Sequence, residues 1–291
     1  MKRWLMAVAM LVVATGAFAG RGNSSVSIDF DDDSTSCDDG MVRFNNHRAA
    51  IAKEEVPVAG LRTLNVRGEH AGIRVTGTNS GTYKVTVCKA AALAADLNDV
   101  RVALRGNEIT ADGPNDGQWM IFYFIEMPRG ADLNVDSQNG PVSIRGVDGS
   151  VVARATNGPL SVKDSRGHID AKSVNGPISV SGSSGNVKLV TSNGPLAVRL
   201  DGARWEGGNL EASTTNGPLT LRIPRNYASG VTVEASGAGP ISCHADACGD
   251  SRRMSRFDND DDDSPRTIEL GSGARNVRLS TVNGPLVIKD E

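Results

Sequence analysis

Arg145, Lys163, Arg199, Arg222 and Lys289 stand at equivalent places in the chain, each six residues after the Asn of an Asn-Gly-Pro tripeptide. Ser181 follows a further copy in the same way, and His244 a degenerate one. On stacked strands these residues make a basic stripe. A stripe of cations can dock an acidic glycan, lipid A phosphates or another anionic envelope component. The competing use is plainer, since charges outside a strand keep a sheet soluble and discourage aggregation.

Other chemistry-bearing residues argue less for a site. Asp170 and Glu211 fall in one outward column two repeats apart, about 10 Å, near the upper limit for an inverting pair of carboxyls. Lys188 stands between them, and an Asp–Lys–Glu ladder is an ordinary cross-strand arrangement. The segment Cys243-His244-Ala245-Asp246-Ala247-Cys248 lacks the Cys-x2-Cys spacing of a zinc site. Adjacent strand residues also point to opposite faces, so a disulfide is expected there and no metal. The acidic run at 258–263 and the cluster Asp29, Asp31, Asp32 and Asp33 offer oxygen ligands of the kind calcium takes. The EF-hand spacing is absent, and a solvated loop is expected. His47, His70 and His168 have no Ser or Cys partner in a recognisable motif, and no phosphate-binding glycine loop occurs. No catalytic residue and no cofactor is predicted.

The elements that position the stripe come from a repeat. Asn-Gly-Pro occurs at Asn139, Asn157, Asn175, Asn193, Asn216 and Asn283, and Ala238-Gly239-Pro240 is a degenerate copy. The first four are spaced by 18 residues. Apolar or small residues recur six and four positions before each Asn, from Leu133 and Val135 to Val277 and Leu279. Apolar residues recur three and five positions after it, from Val142 and Ile144 to Leu286 and Ile288. Period-2 alternation on both sides of a corner means two short strands per repeat, each with one buried face. The same residue type in the same column is explained by repeats stacked about 4.8 Å apart, with the Asn side chains hydrogen-bonding along the stack. The predicted fold is therefore all-β, a parallel β-solenoid with coils of about 18 residues and two main strands per coil. No single coil is stable alone; stacking must supply the stability.

Around this repeat the chain divides into three parts. Lys2 and Arg3, an apolar run over 4–14, and Ala17-Phe18-Ala19 have the layout of a secretory signal peptide over 1–19. The run is shorter than the roughly 20 residues of a membrane span. An exported protein of the periplasm or cell surface is expected, without a transmembrane segment. A polar, partly disordered leader is expected over 20–57, then the solenoid over 58–291 with an acidic insertion at about 246–265. Residues 119–125 are apolar on both faces, which predicts a strand covered on both sides by a short helix at Ala90–Leu97 or by the leader. The net charge is −3, which argues against nucleic acid as a partner. In an oxidising compartment the four cysteines should pair. Cys243–Cys248 reads as a local clip and Cys37–Cys88 follows by elimination.

The Met127-Pro128-Arg129 and Ile223-Pro224-Arg225 entries, the serial strand–Asn-Gly–strand coils and the closing Thr281-Val282-Asn283-Gly284-Pro285-Leu286-Val287-Ile288 resemble one known family. It is the "putative adhesin, β-strand-repeat" family of bacterial envelope proteins, a domain of unknown function. The resemblance implies the fold and an adhesin-like role, and it carries over no catalytic residue. The uniform Pro after Asn-Gly and the acidic insertion depart from the family pattern. A non-enzymatic adhesion or binding scaffold is the expected function. The alternative is a protein that binds or degrades a polysaccharide, as some β-helix proteins do.

Overall fold

A strand that buries every second residue needs a facing surface, and here each repeat supplies its own. The computed structural model describes residues 12–14, 26–29, 34, 36–115, 118–182, 184–236, 239–248, 266–271 and 273–291. Two 11-stranded sheets carry the fold, and a four-stranded sheet lies toward the N-terminus. Among the described residues there is no α-helix. Pairing within the two large sheets is mostly parallel.

Each repeat gives one strand to each large sheet. Asp132–Asn139, Val151–Asn157, His168–Asn175, Asn186–Asn193 and Leu210–Asn216 lie side by side in the first sheet. Val142–Arg145, Leu160–Lys163, Ile178–Gly182, Leu196–Leu200 and Leu219–Ile223 do so in the second. Equivalent residues face each other across every pair, as in Leu133, Val151, Ile169, Val187 and Leu210. The inner residues of both sheets form one core, in which Ile144, Ala153, Val162, Ile178 and Leu189 are fully buried. Each repeat adds about four such side chains, worth roughly 1.5–3 kcal/mol apiece.

The corner is held by three devices. Asn157, Asn175, Asn193, Asn216 and Asn283 each donate from Nδ2 to the Oδ1 of the neighbouring Asn, at 2.9–3.1 Å. The glycine beside each Asn is needed for close approach rather than for a left-handed φ. A Cβ on Gly158, Gly194 or Gly217 would lie 2.2–2.3 Å from the carbonyl oxygen of the next corner glycine. Of the corner glycines only Gly140 has a positive φ, 154°. A third device, at some corners only, is a buried hydroxyl two residues before the Asn; Ala155 lacks one, and Ser173 Oγ has no partner among the described residues. Thr191 and Thr214 donate to the carbonyls of the half-buried Gly176 and Gly194 at 3.0 Å, which satisfies both the hydroxyls and these acceptors.

Both ends depart from a continuous run of coils over 58–291. Spatial order is not sequence order. Asp132–Asn139 pairs with Thr63–Gly68, which on its far side meets Glu108–Asp112. At the other end Arg275–Asn283 sits between Leu210–Asn216 and Gly230–Ala235, parallel to both. The degenerate repeat therefore lies outside the last one, and the long sequence interval before Asn283 is not filled by a coil between its neighbours. Three of the four edges of the large sheets are antiparallel, and the fourth, Ile241–Cys243, is parallel to Leu286–Asp290. Lys84–Ala91 pairs antiparallel with Trp119–Pro128 and Ala50–Val56, Arg101–Arg105 with Glu108–Asp112, and Arg266–Leu270 with Gly230–Ala235. Lys84–Ala91 and Arg101–Arg105 lie within the 58–291 expected as parallel coils, yet belong to these antiparallel ends.

The polar leader expected over 20–57 is corrected too. Val26–Asp29, Met41–Phe44 and His47–Arg48 form strands of the small sheet, whose fourth strand is Val12–Ala14, and Ala50–Val56 joins the second large sheet. Its polar runs conceal an alternation, Val26-x-Ile28 and Val42-x-Phe44, that buries four side chains. They pack on Met120, Phe122 and Phe124, while Ile121, Tyr123 and Ile125 of the same strand point into the main core. The leader thus covers the outer face of that strand. The helix expected at Ala90–Leu97 is instead the end of Lys84–Ala91 and a 3-10 turn at Ala94–Asn98. Cys37–Cys88 and Cys243–Cys248 are both disulfides, as the count predicted. The acidic run at 258–263 lies outside the described residues.

Tyr123 is 1% exposed and its hydroxyl has no hydrogen-bond partner among the described residues. Burial, aided by the charge of Asp112, raises its pKa well above the ordinary value of 10. The neutral phenol is thus favoured by folding, and its contribution is complete below pH 10 and lost as pH rises above it. Tyr123→Phe is expected to stabilise the protein by about 1 kcal/mol at neutral pH by removing an unpaired buried hydroxyl. Thermal melts from pH 7 to 11 should show this gain, together with a shallower fall above pH 10.

Candidate functional site

The outer face of the second sheet is built from three columns, because alternate residues of each strand point outward. The column nearest the corner is Pro141, Pro159, Pro177, Pro195 and Pro218. The middle column is Ser143, Ser161, Ser179, Ala197 and Thr220, and the third is Arg145, Lys163, Ser181, Arg199, Arg222 and Lys289. All five cations predicted from sequence therefore share one face and one line. His244, in the end layer, is exposed beyond Lys289 and donates its backbone N–H to Ile288 at 2.7 Å.

Their electrostatics are uneven. Arg145 Nε lies 3.3 Å from Asp164 Oδ2. Arg199 Nε lies 3.1 Å from Asp201 and 3.4 Å from Glu291. Arg199, Arg222 and Lys289 occupy three successive rungs, about 4.8 Å apart. Like charges directly opposite destabilise a sheet, and two carboxylates flank the first of the three. The exposed pairs contribute at most about 1 kcal/mol each.

Toward the N-terminal end the columns change character. Arg74 continues the middle column beside Ser143, and Phe124 follows it; Gly72 and Phe122 end the proline column. The Phe122 ring lies over Gly72, where a Cβ would come within 2.5 Å of it. Arg74 lies 5.9 Å from the centre of the Phe124 ring and donates to the Ser34 carbonyl. This aromatic end and the proline ladder were not singled out in the sequence as part of a site. The recurring Pro was visible there, but it read only as a corner residue.

The other candidates fall elsewhere. Asp170, Lys188 and Glu211 do lie on successive rungs of the first sheet. Asp170 accepts from Arg154 Nη2 at 2.6 Å and from Nη1 at 3.2 Å, which commits its carboxylate to a structural pair. His47 and His168 are exposed on strands. His70 stands edge-on to Trp119 at 5.9 Å, and burial lowers its pKa. No grouping of three His, Cys, Asp or Glu side chains fit to hold a metal occurs among the described residues.

No protein-family model matches the chain, and no curated protein matches it. Among solved structures, a "putative cell adhesion protein" from Clostridium sporogenes is 10% identical, with a TM-score of 0.34 over 84% of this chain and all of that one. A "putative adhesin" from Bacteroides fragilis is 10% identical, with a TM-score of 0.30 over 83% of this chain and 97% of that one. A "putative lipid binding protein" from Parabacteroides distasonis is 9% identical, with a TM-score of 0.34 over 83% and 96%. Proteins described as adhesins are among its neighbours in shape. At this identity no ligand transfers from them to this chain.

Proposed function

We propose that the chain is an exported, non-enzymatic binding scaffold of the cell envelope. Its stacked coils form a parallel β-solenoid, and the outer face of the second sheet grips an extended anionic polymer. What carries the reading is the run Arg199, Arg222, Lys289 on consecutive rungs. A repeating anion, such as an acidic glycan or a phosphorylated lipid headgroup array, relieves the repulsion within that run and meets charges at a matching repeat. A rigid sheet holds the cations in place before binding, so little ordering cost is added.

The double variant Arg199→Ser, Arg222→Ser is expected to weaken retention on heparin and on immobilised lipopolysaccharide by about tenfold or more. Both positions are on the exposed surface, so the thermal melt should stay within about 0.5 kcal/mol of the parent. Retention equal to the parent on both matrices removes this function.

A further inference from the structure

The same outer face has an apolar end that the run of three cations does not reach. Because Ser143, Ser161 and Ser179 are small, the face sinks between the proline ladder and the charged column. The result is a groove of about 360 Å³, within the roughly 300–1,000 Å³ typical of small-molecule sites. Phe122 and Phe124 close one end with Ile28 beside them, and Pro141, Pro159 and Pro177 line the long wall. Lys163 lines the groove from the charged column, and Arg74 contributes to the closed end. On the floor, Ser161 Oγ has no hydrogen-bond partner among the described residues.

Rings and methylenes along the walls favour an apolar chain, and a lysine on the border favours a negative head. A glycan would bring hydroxyls to walls that offer few partners for them, leaving those groups unpaired at a cost. The volume suits one chain rather than the two or more of a membrane lipid. We propose that this groove binds a single-chain anionic amphiphile, a fatty acid, with its chain along the proline wall and its carboxylate at Lys163. Lys163 shares its column with the stripe, but the groove does not include Arg199, Arg222 or Lys289, so either site can exist without the other.

Calorimetric titration of the full chain with octanoate, decanoate and laurate, each below its micellar concentration, tests the site. Affinity is expected to rise about fourfold for each added methylene, the factor for removing one from water. Lys163→Met should weaken laurate about tenfold. Ser161→Phe and Ser179→Phe, each filling the floor from the outside, should abolish binding while leaving the thermal melt unchanged. Arg222→Ser should leave laurate binding at the parent value, which separates this site from the stripe. Absence of binding at every chain length overturns the proposal, as does affinity independent of chain length. Laurate binding that survives both phenylalanine variants overturns it as well. Co-sedimentation with anionic phospholipid vesicles without uptake of free laurate would assign the groove to a membrane surface and likewise overturn it.

Discussion

Gly176→Ala is expected to cost about 3–5 kcal/mol, in the range reserved for backbone clashes that nothing can absorb. An added Cβ would lie 2.1 Å from the Gly158 carbonyl oxygen and 2.7 Å from its carbon. Both atoms belong to a corner whose amide ladder fixes it, since Asn175 donates to Asn157 at 3.1 Å. Relief therefore requires separating two coils, which breaks the ladder and opens the core between Leu160 and Ile178. Gly81→Ala is the matched control. Nothing lies within 4 Å of its added Cβ and its φ is not left-handed, so the change should be neutral or stabilise by about 0.4–1 kcal/mol. Denaturant midpoints for the two variants decide the matter. Equal midpoints would mean that the corner glycines serve only the turn, and that the coils are not pressed together there.

That result bears on how much of the architecture could be read beforehand. The columns Leu133 to Val277 and Val142 to Leu286 were legible because a buried position tolerates few residue types, and an 18-residue recurrence leaves no freedom of register. The Asn ladder was legible for the same reason. The cause of its glycine was not legible, since sequence shows that a side chain is forbidden but not whether φ or a neighbour forbids it. The order of layers was hidden. Spacing alone does not say whether Leu210 is followed by Val231 or by Val277, and in the structure Val277 lies between the two. The leader was misjudged because its acidic and serine runs dominate the composition, while four buried residues, Val26, Ile28, Val42 and Phe44, decide its fate.

The candidate site divides along similar lines. Arg145, Lys163, Arg199, Arg222 and Lys289 could be placed on one face from spacing alone, because alternation fixes which way a strand residue points. The pairing of Arg145 with Asp164 and of Arg199 with Glu291 could not, since those acids come from turns and from the far end of the sequence. The groove was invisible for a different reason. It exists where small residues from Val142–Arg145, Leu160–Lys163 and Ile178–Gly182 meet aromatic residues of Trp119–Pro128, and that meeting depends on the out-of-order stacking at the N-terminal end.

Out-of-order stacking has its largest consequence at the other end. Deleting residues 275–291 is expected to abolish the structure of the 230–243 layer while leaving the inner rungs folded. Arg275–Asn283 and Leu286–Asp290 are the inner partners of Gly230–Ala235 and Ile241–Cys243. The same strands cover Leu210–Asn216 and Leu219–Ile223. Val277, Leu279, Leu286 and Ile288 are all fully buried, so the deletion forfeits about 6–12 kcal/mol of burial at roughly 1.5–3 kcal/mol each. Stacked repeats interact chiefly with their neighbours, so the loss should stay local. Leu210, Ala212, Leu219 and Leu221 become an open end of the core, while the rungs from Val142 to Val198 keep both neighbours. Hydrogen exchange resolves the two regions. Amides of 230–243 should exchange at the rate of an unstructured chain and those of 151–198 should keep their protection. A synthetic peptide spanning 275–291 should restore protection to 230–243, because it meets the same parallel partners on both sides. Retained protection at 230–243 without the peptide would show that this layer docks directly on Leu210–Asn216, so that its amides do not depend on the inserted coil.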